Sequence, residues 1–111
     1  MAEIQSIASL AALDELIERS NERPVWIFKH SLTCGVSSSA WAEFRRFATD
    51  SSEDGAIFAI IEIQNARAVS SAFAERTGVR HQSPQAVLLR EARVAWQASH
   101  YQINARSLKK V

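Results

Sequence analysis

A chain of 111 residues, 47% hydrophobic and 23% charged with only three glycines and two prolines, has room for one well-buried core and not for two, so a single domain over residues 1–111 is expected. That composition is globular rather than disordered or fibrous, and thirteen basic residues against twelve acidic ones leave no basic face for nucleic acid. One cysteine excludes a disulfide within the chain, and with three scattered histidines it offers no zinc-type ligand cluster, so no metal is expected.

The opening stretch "MAEIQSIASLAALDELIERS" has acidic residues, no basic leader region and no apolar run long enough to span a bilayer. A cytoplasmic location and no membrane partner are expected, and in a reducing cytosol Cys34 rests as a thiol. Ile7, Leu10, Leu13, Leu16 and Ile17 recur at helical spacing, which predicts an amphipathic helix across the first twenty residues, ending near Asn21. "PVWIFKH" is short, aromatic and β-branched, and predicts a buried strand ending at Lys29 or His30. Ala40, Trp41, Phe44 and Phe47 then follow a helical period that fades in "TDSSEDG". "AIFAIIEI" predicts a central strand covered on both faces, and "ARAVSSAFAERTG" a helix closed by Gly78. "QAVLLREARVAWQAS" splits into two strand-like runs joined around Arg90 to Arg93, an antiparallel hairpin. "INARSLKK" closes the chain as a helix with Asn104 as N-cap. The predicted order is α-β-α-β-α-β-β-α around one mixed four-stranded sheet.

Strand passes directly into helix at Cys34. A helix N-terminus carries partial positive charge and free N–H groups, so a thiol there is stabilised as its thiolate. Lys29 and His30 just before it add positive potential. Ser37 stands where a second cysteine would sit in a C-x-x-C redox pair, and its hydroxyl can donate to the thiolate. A buried, inert cysteine is the competing reading, but "SLTCGVSSS", which runs through Ser31, Thr33, Cys34 and Gly35, is polar and turn-like rather than apolar.

"VRHQSPQ" precedes the hairpin. In a thioredoxin-type arrangement a proline opening the third strand follows a cis bond and exposes backbone for pairing with substrate, which makes Ser83–Pro84 the candidate; an ordinary trans proline at a strand start is the alternative. His100, after the hairpin, either reaches the thiol end of the sheet or caps the turn into the last helix. His30 and His81 are weak evidence for a metal site, and Trp26, Trp41 and Trp96 fall on apolar faces, where packing is their role.

Together, "KHSLTCGVS", "VRHQSPQ" and "SHYQI" resemble the YtxJ family, the monothiol bacilliredoxins of the bacillithiol redox system, over about residues 22–108. The family pattern is usually T-C-P-I-S where this chain has "TCGVS", so Gly35 and Val36 depart from it; losing the proline relaxes the helix start and alters the thiol's potential. The resemblance implies a thioredoxin-like fold and a nucleophilic Cys34 that takes bacillithiol, or a similar low-molecular-weight thiol, from mixed disulfides on client proteins. It implies no bound cofactor. Lys29, His30, Thr33, Gly35, Ser37, Ser83, Pro84 and His100 are the candidates for stabilising the thiolate or binding substrate.

Two other readings compete. "CGVS" also looks like the C-G-F-S signature of monothiol glutaredoxins, which bridge a [2Fe–2S] cluster between two chains with glutathione, although the threonine-valine-proline segment and glycine-glycine turn of that family are missing here. The third is a thioredoxin-like module that binds a partner without catalysis.

Overall fold

The structure is a computed structural model and describes residues 3–51 and 55–111. Five strands form one sheet: β1 (Ile4–Ser6), β2 (Val25–His30), β3 (Ile57–Glu62), β4 (Gln85–Arg90) and β5 (Arg93–Ser99), in the order β1-β3-β2-β4-β5. β1 and β2 run parallel to β3, which lies between them, while β4 runs antiparallel to the central β2 and pairs with β5 as a hairpin. Four helices accompany them: α1 (Leu10–Arg19), α2 (Gly35–Asp50), α3 (Arg67–Thr77) and α4 (Ala105–Lys109).

The expected sheet of four strands is corrected to five. Ile4–Ser6 pairs with Phe58, Ala59 and Ile60, and Ile7 extends the ladder by donating to the Ile60 carbonyl at 2.9 Å. The first helix is therefore shorter than its apolar spacing implied; it begins after Ser9, whose hydroxyl caps the Ala12 N–H at 3.1 Å. The end of α2 lies at Asp50, and residues 52–54 of the fading "TDSSEDG" stretch, like residues 1–2 of the predicted first helix, fall outside the described residues.

The strands' alternation builds two cores. Val25, Ile27, Ala59, Ile61, Val87 and Leu89 face α1 and α3, while Trp26, Phe28, Phe58, Ile60, Ala86 and Leu88 face α2 and α4. Phe44 of α2 is wholly buried, stacked on Phe28 with ring centroids 5.2 Å apart and edge-on to Phe58 at 6.1 Å. This aromatic layer anchors the helix that starts at Cys34; truncating such a side chain costs about 3–5 kcal/mol. α3 stops at Gly78, in the left-handed conformation at φ 73°, and α4 starts at Asn104, whose side chain accepts from the Ser107 N–H at 2.9 Å.

The hairpin turns on Glu91 and Ala92, both at positive φ without being glycine. Ser20, just past α1, braces that turn: its carbonyl accepts from the Glu91 N–H and its hydroxyl from the Ala92 N–H, both at 2.8 Å. Among the described residues no helix is long and apolar enough to cross a membrane.

This topology gathers four chain segments at one edge of the sheet. Lys29 pairs with Gln85 and Gln85 with Ser99, so the ends of β2 and β5 meet the start of β4, and the parallel β3 ends beside His30 at Glu62. Ligand sites of open α/β sheets lie outside such carboxyl ends.

Candidate active site

Cys34 is the extended N-cap residue of α2, at φ −108° and ψ 124°, and is half-buried. Its N–H closes a turn onto the Ser31 carbonyl at 3.4 Å, and its own carbonyl accepts the first helical bond from the Ser38 N–H at 3.1 Å. The side chain makes no capping bond to the helix. The thiol thus belongs to the residue at the positive end of α2, whose first N–H groups are not committed to any cap from that residue. Gly35 follows as the first helical residue, and a Cβ built there would meet nothing within 4 Å, so the approach beside the sulfur is open.

The loop leading to the cysteine is held from β3. Gln64, in the short 3₁₀ turn after that strand, accepts from the Leu32 N–H at 2.9 Å and donates to the hydroxyls of Ser31 at 3.0 Å and Thr33 at 3.4 Å. Sequence reasoning missed Gln64. Its only signal was a polar residue directly after the end of a buried parallel strand.

Ser37 is fully buried one turn below Cys34, and its hydroxyl is engaged rather than free. It accepts from the Ser31 N–H at 2.9 Å and lies 2.8 Å from His30 Nδ1. The expected hydrogen bond from Ser37 to the sulfur is not among those the structure shows: the hydroxyl is committed to the Ser31 N–H and to His30 Nδ1. Burial lowers the His30 pKa below its usual value, with Glu62 opposing, and the ring stacks on Trp41 at 5.9 Å.

Lys29 departs from expectation. Strand alternation sends it to the α3 face, away from α2, where it is 0% exposed. Its Nζ donates to His81 Nδ1 at 2.6 Å and to the Ser70 carbonyl at 3.5 Å, and lies 5.7 Å over the Phe73 ring. Burial pushes its pKa down to about 8. The pKa of His81 is lowered in turn, first by desolvation and then by the Lys29 charge. His81, set aside in the sequence reading, is thereby tied to the site's scaffold.

The Ser83–Pro84 bond is cis, and Pro84 is buried beside the end of β2. The Ser83 hydroxyl and the Gln85 Oε1 are buried without a partner among the described residues. His100 begins a 3₁₀ turn at φ 54°, with its N–H on the Pro84 carbonyl at 3.1 Å. Its side chain is exposed, so the structure brings its backbone, not its imidazole, into contact with the proline loop. Among the described residues no group of three His, Cys, Asp or Glu side chains could hold a metal ion.

Residues 5–108 match the family described as Monothiol bacilliredoxin BrxC. Among solved structures, the chain is similar to a thioredoxin-fold protein described as a candidate oxidoreductase, with a TM-score of 0.83 and 29% identity over 96% of this chain and 91% of that one. It is also similar to Fasciola hepatica thioredoxin, with a TM-score of 0.75 and 16% identity over 96% and 94% of the two chains. The N21Q mutant thioredoxin from Halobacterium salinarum NRC-1 aligns with a TM-score of 0.72 and 21% identity over 97% and 86%. The fold is the thioredoxin fold, and fold and family together support a thiol oxidoreductase-like role.

Proposed function

Because this chain belongs to the monothiol bacilliredoxin family, we propose that it removes bacillithiol, or a similar low-molecular-weight thiol, from mixed disulfides on client proteins. The observation that carries the reading is the placement of the chain's only cysteine, half-buried, at the N-cap of a 16-residue helix that follows β2 at the sheet edge where the Ser83–Pro84 loop enters β4.

The chemistry follows from that placement. The Cys34 thiolate attacks the small thiol's sulfur, the client's sulfur leaves as a thiolate and takes a proton from solvent, and a new disulfide joins Cys34 to the small thiol. A second molecule of the thiol then attacks that disulfide, leaves as the symmetric disulfide and returns Cys34 to its thiol form. The reducing equivalents come from the second small thiol, since the first arrives already in disulfide form, and no bound cofactor takes part. With serine at position 37, no second cysteine competes to resolve the mixed disulfide within the chain. Ser37 braces the loop before Cys34 through the Ser31 N–H and His30, Thr33 and Gly35 shape the approach to the sulfur, and the backbone at Ser83 and Pro84, with His100 behind it, aligns the substrate. The cytosol is the compartment in which such a thiol stays reduced.

Intact-mass spectrometry of the reduced protein and its Cys34→Ser variant, after brief exposure to a bacillithiolated model protein, tests this. Glutathionylated and CoA-modified versions run alongside. The wild type is expected to gain the mass of the small thiol while the client loses it, and the variant to gain nothing. Absence of any adduct on Cys34 overturns the reading. Cluster binding with glutathione, then partner binding without chemistry, would be examined next.

A further inference from the structure

On the α3 face of the same sheet edge lies a cavity of about 150 Å³, lined by Ile63, Arg67, Ser70, Ser71 and His81. Two of these residues, His81 and Ser70, are the ones that hold the Lys29 ammonium, at 2.6 and 3.5 Å, so the charge lies directly behind the cavity wall. No acidic residue lines it, and among the described residues no carboxylate lies within ion-pair distance of Lys29. Glu62, the nearest acid in sequence to Ile63, belongs to the other face, where it acts on His30.

A wholly buried ammonium without a counter-ion costs several kcal/mol unless something compensates it. Cation–π contact with Phe73 and a bond to a neutral imidazole do so in part. What is missing is a negative charge, and the cavity is lined by residues able to hold one: Arg67 from the first turn of α3, Ser71, and His81, whose remaining N–H is a donor once Nδ1 accepts from Lys29. Its volume holds about five water-sized groups, which fits a carboxylate or phosphate and not a whole peptide.

We propose that this cavity binds a small oxyanion, a carboxylate or a phosphate, between Arg67, Ser71 and His81, with Lys29 as the buried counter-charge. The site is distinct from the sulfur's surroundings, because β2 separates the two faces. His81 nevertheless lies two residues before Ser83, so an oxyanion seated there fixes the loop that carries Pro84. Its chemistry is common to a free anion and to an acidic group carried by the small thiol of a mixed disulfide.

The test titrates the protein with inorganic phosphate and, separately, with acetate, at constant ionic strength, following the His81 and His100 imidazole signals by NMR. A saturable shift of His81 with His100 still is expected, and Arg67→Ala, a change at an exposed position, should weaken the apparent affinity at least tenfold. Lys29→Met, which keeps the buried volume, should abolish it. Shifts of both histidines that grow in parallel and never saturate, or an unchanged response in Arg67→Ala, overturn the proposal. Phosphate that raises KM for a thiolated client without lowering kcat supports the site and marks the oxyanion as one the substrate carries. Saturable binding with KM unchanged supports it equally and marks a free anion. Because the NMR readout needs no turnover, a protein without exchange activity still tests the site.

Discussion

Lys29 and His30 are neighbours in sequence and carry the same chemical promise, a positive charge near a thiol. One residue's step along β2 sends them to opposite sides of the sheet, and their roles diverge completely. His30 reaches the hydroxyl beneath Cys34 at 2.8 Å; Lys29 is sealed against α3, with its nitrogen on His81 and Ser70. The lesson is about period rather than type. In a strand covered on both faces, adjacent charges cannot serve one site, because successive side chains point oppositely.

The Lys29 side of this contrast should show the larger effect on stability. Its pKa falls from 10.5 in the unfolded chain to about 8 in the fold. Between those values the unfolded state holds a proton that the native state has lost, so stability rises as pH climbs from about 8 to about 10.5 and is lower by a constant amount beneath that window. The shift corresponds to about 3 kcal/mol. Lys29→Met should therefore raise the unfolding free energy at pH 7 by about 1–3 kcal/mol and flatten the alkaline rise, while the rate at which Cys34 is alkylated stays near that of the wild type. Urea unfolding at pH 7, 8.5 and 10 measures the first, and iodoacetamide labelling the second. A large drop in labelling would show that the two faces are not independent.

On the other face the effect moves from stability toward chemistry. Ser37→Ala leaves the Ser31 N–H and His30 Nδ1 without their shared partner, which costs about 1–3 kcal/mol for buried groups. It also releases the Ser31 end of the loop that carries Cys34, so small-thiol transfer should slow about tenfold, equivalent to about 1.4 kcal/mol in the barrier. His30→Gln should reproduce part of that loss and change its pH dependence. It also removes an acid-side sensitivity: the folded His30 resists protonation, so the unfolded chain takes up a proton near 6.5 first and stability is lost as pH falls below that value. His81 adds a second contribution of the same sign, and His81→Gln separates the two.

The same contrast shows what could be read in the sequence. Long periodic elements were legible: β2, β3, the hairpin and α2 to α4 fall where apolar spacing, Gly78 and Asn104 put them. β1 was not, because three residues with one half-buried side chain carry no period, and Ile7 lies in helical register with Leu10 and Leu13. Its existence depends on β3 having an open edge to pair with, a tertiary fact. The thiol loop was legible as a stretch of chain, while its partners were not. Gln64 braces Leu32 from 32 positions away, and Lys29 meets His81 across 52. Contacts at such separations follow from topology, and the polar residues that make them stand in no pattern of their own.

The smallest expected effect concerns Gly35, the residue directly after the cysteine. Gly35 is the first residue of α2, where proline is well placed because its missing N–H would have no helical partner and its fixed φ suits the turn. Nothing stands within 4 Å of a Cβ at this position. Gly35→Pro should therefore fold, and by narrowing the unfolded ensemble it should add about 0.4–1 kcal/mol. Hydrogen bonding through Ser37 and His30 lies a full turn deeper and is untouched, so the rate of the first transfer step should change much less than in Ser37→Ala. What should move is the balance between Cys34 carrying the small thiol and Cys34 reduced, because a stiffer helix start holds the N–H groups that stabilise the leaving thiolate. Equilibration against a graded thiol and disulfide buffer, read by intact mass, measures that balance. A shift without a change in rate would place the role of Gly35 in the potential of the site; a slower first step with no shift would place it in access to the sulfur.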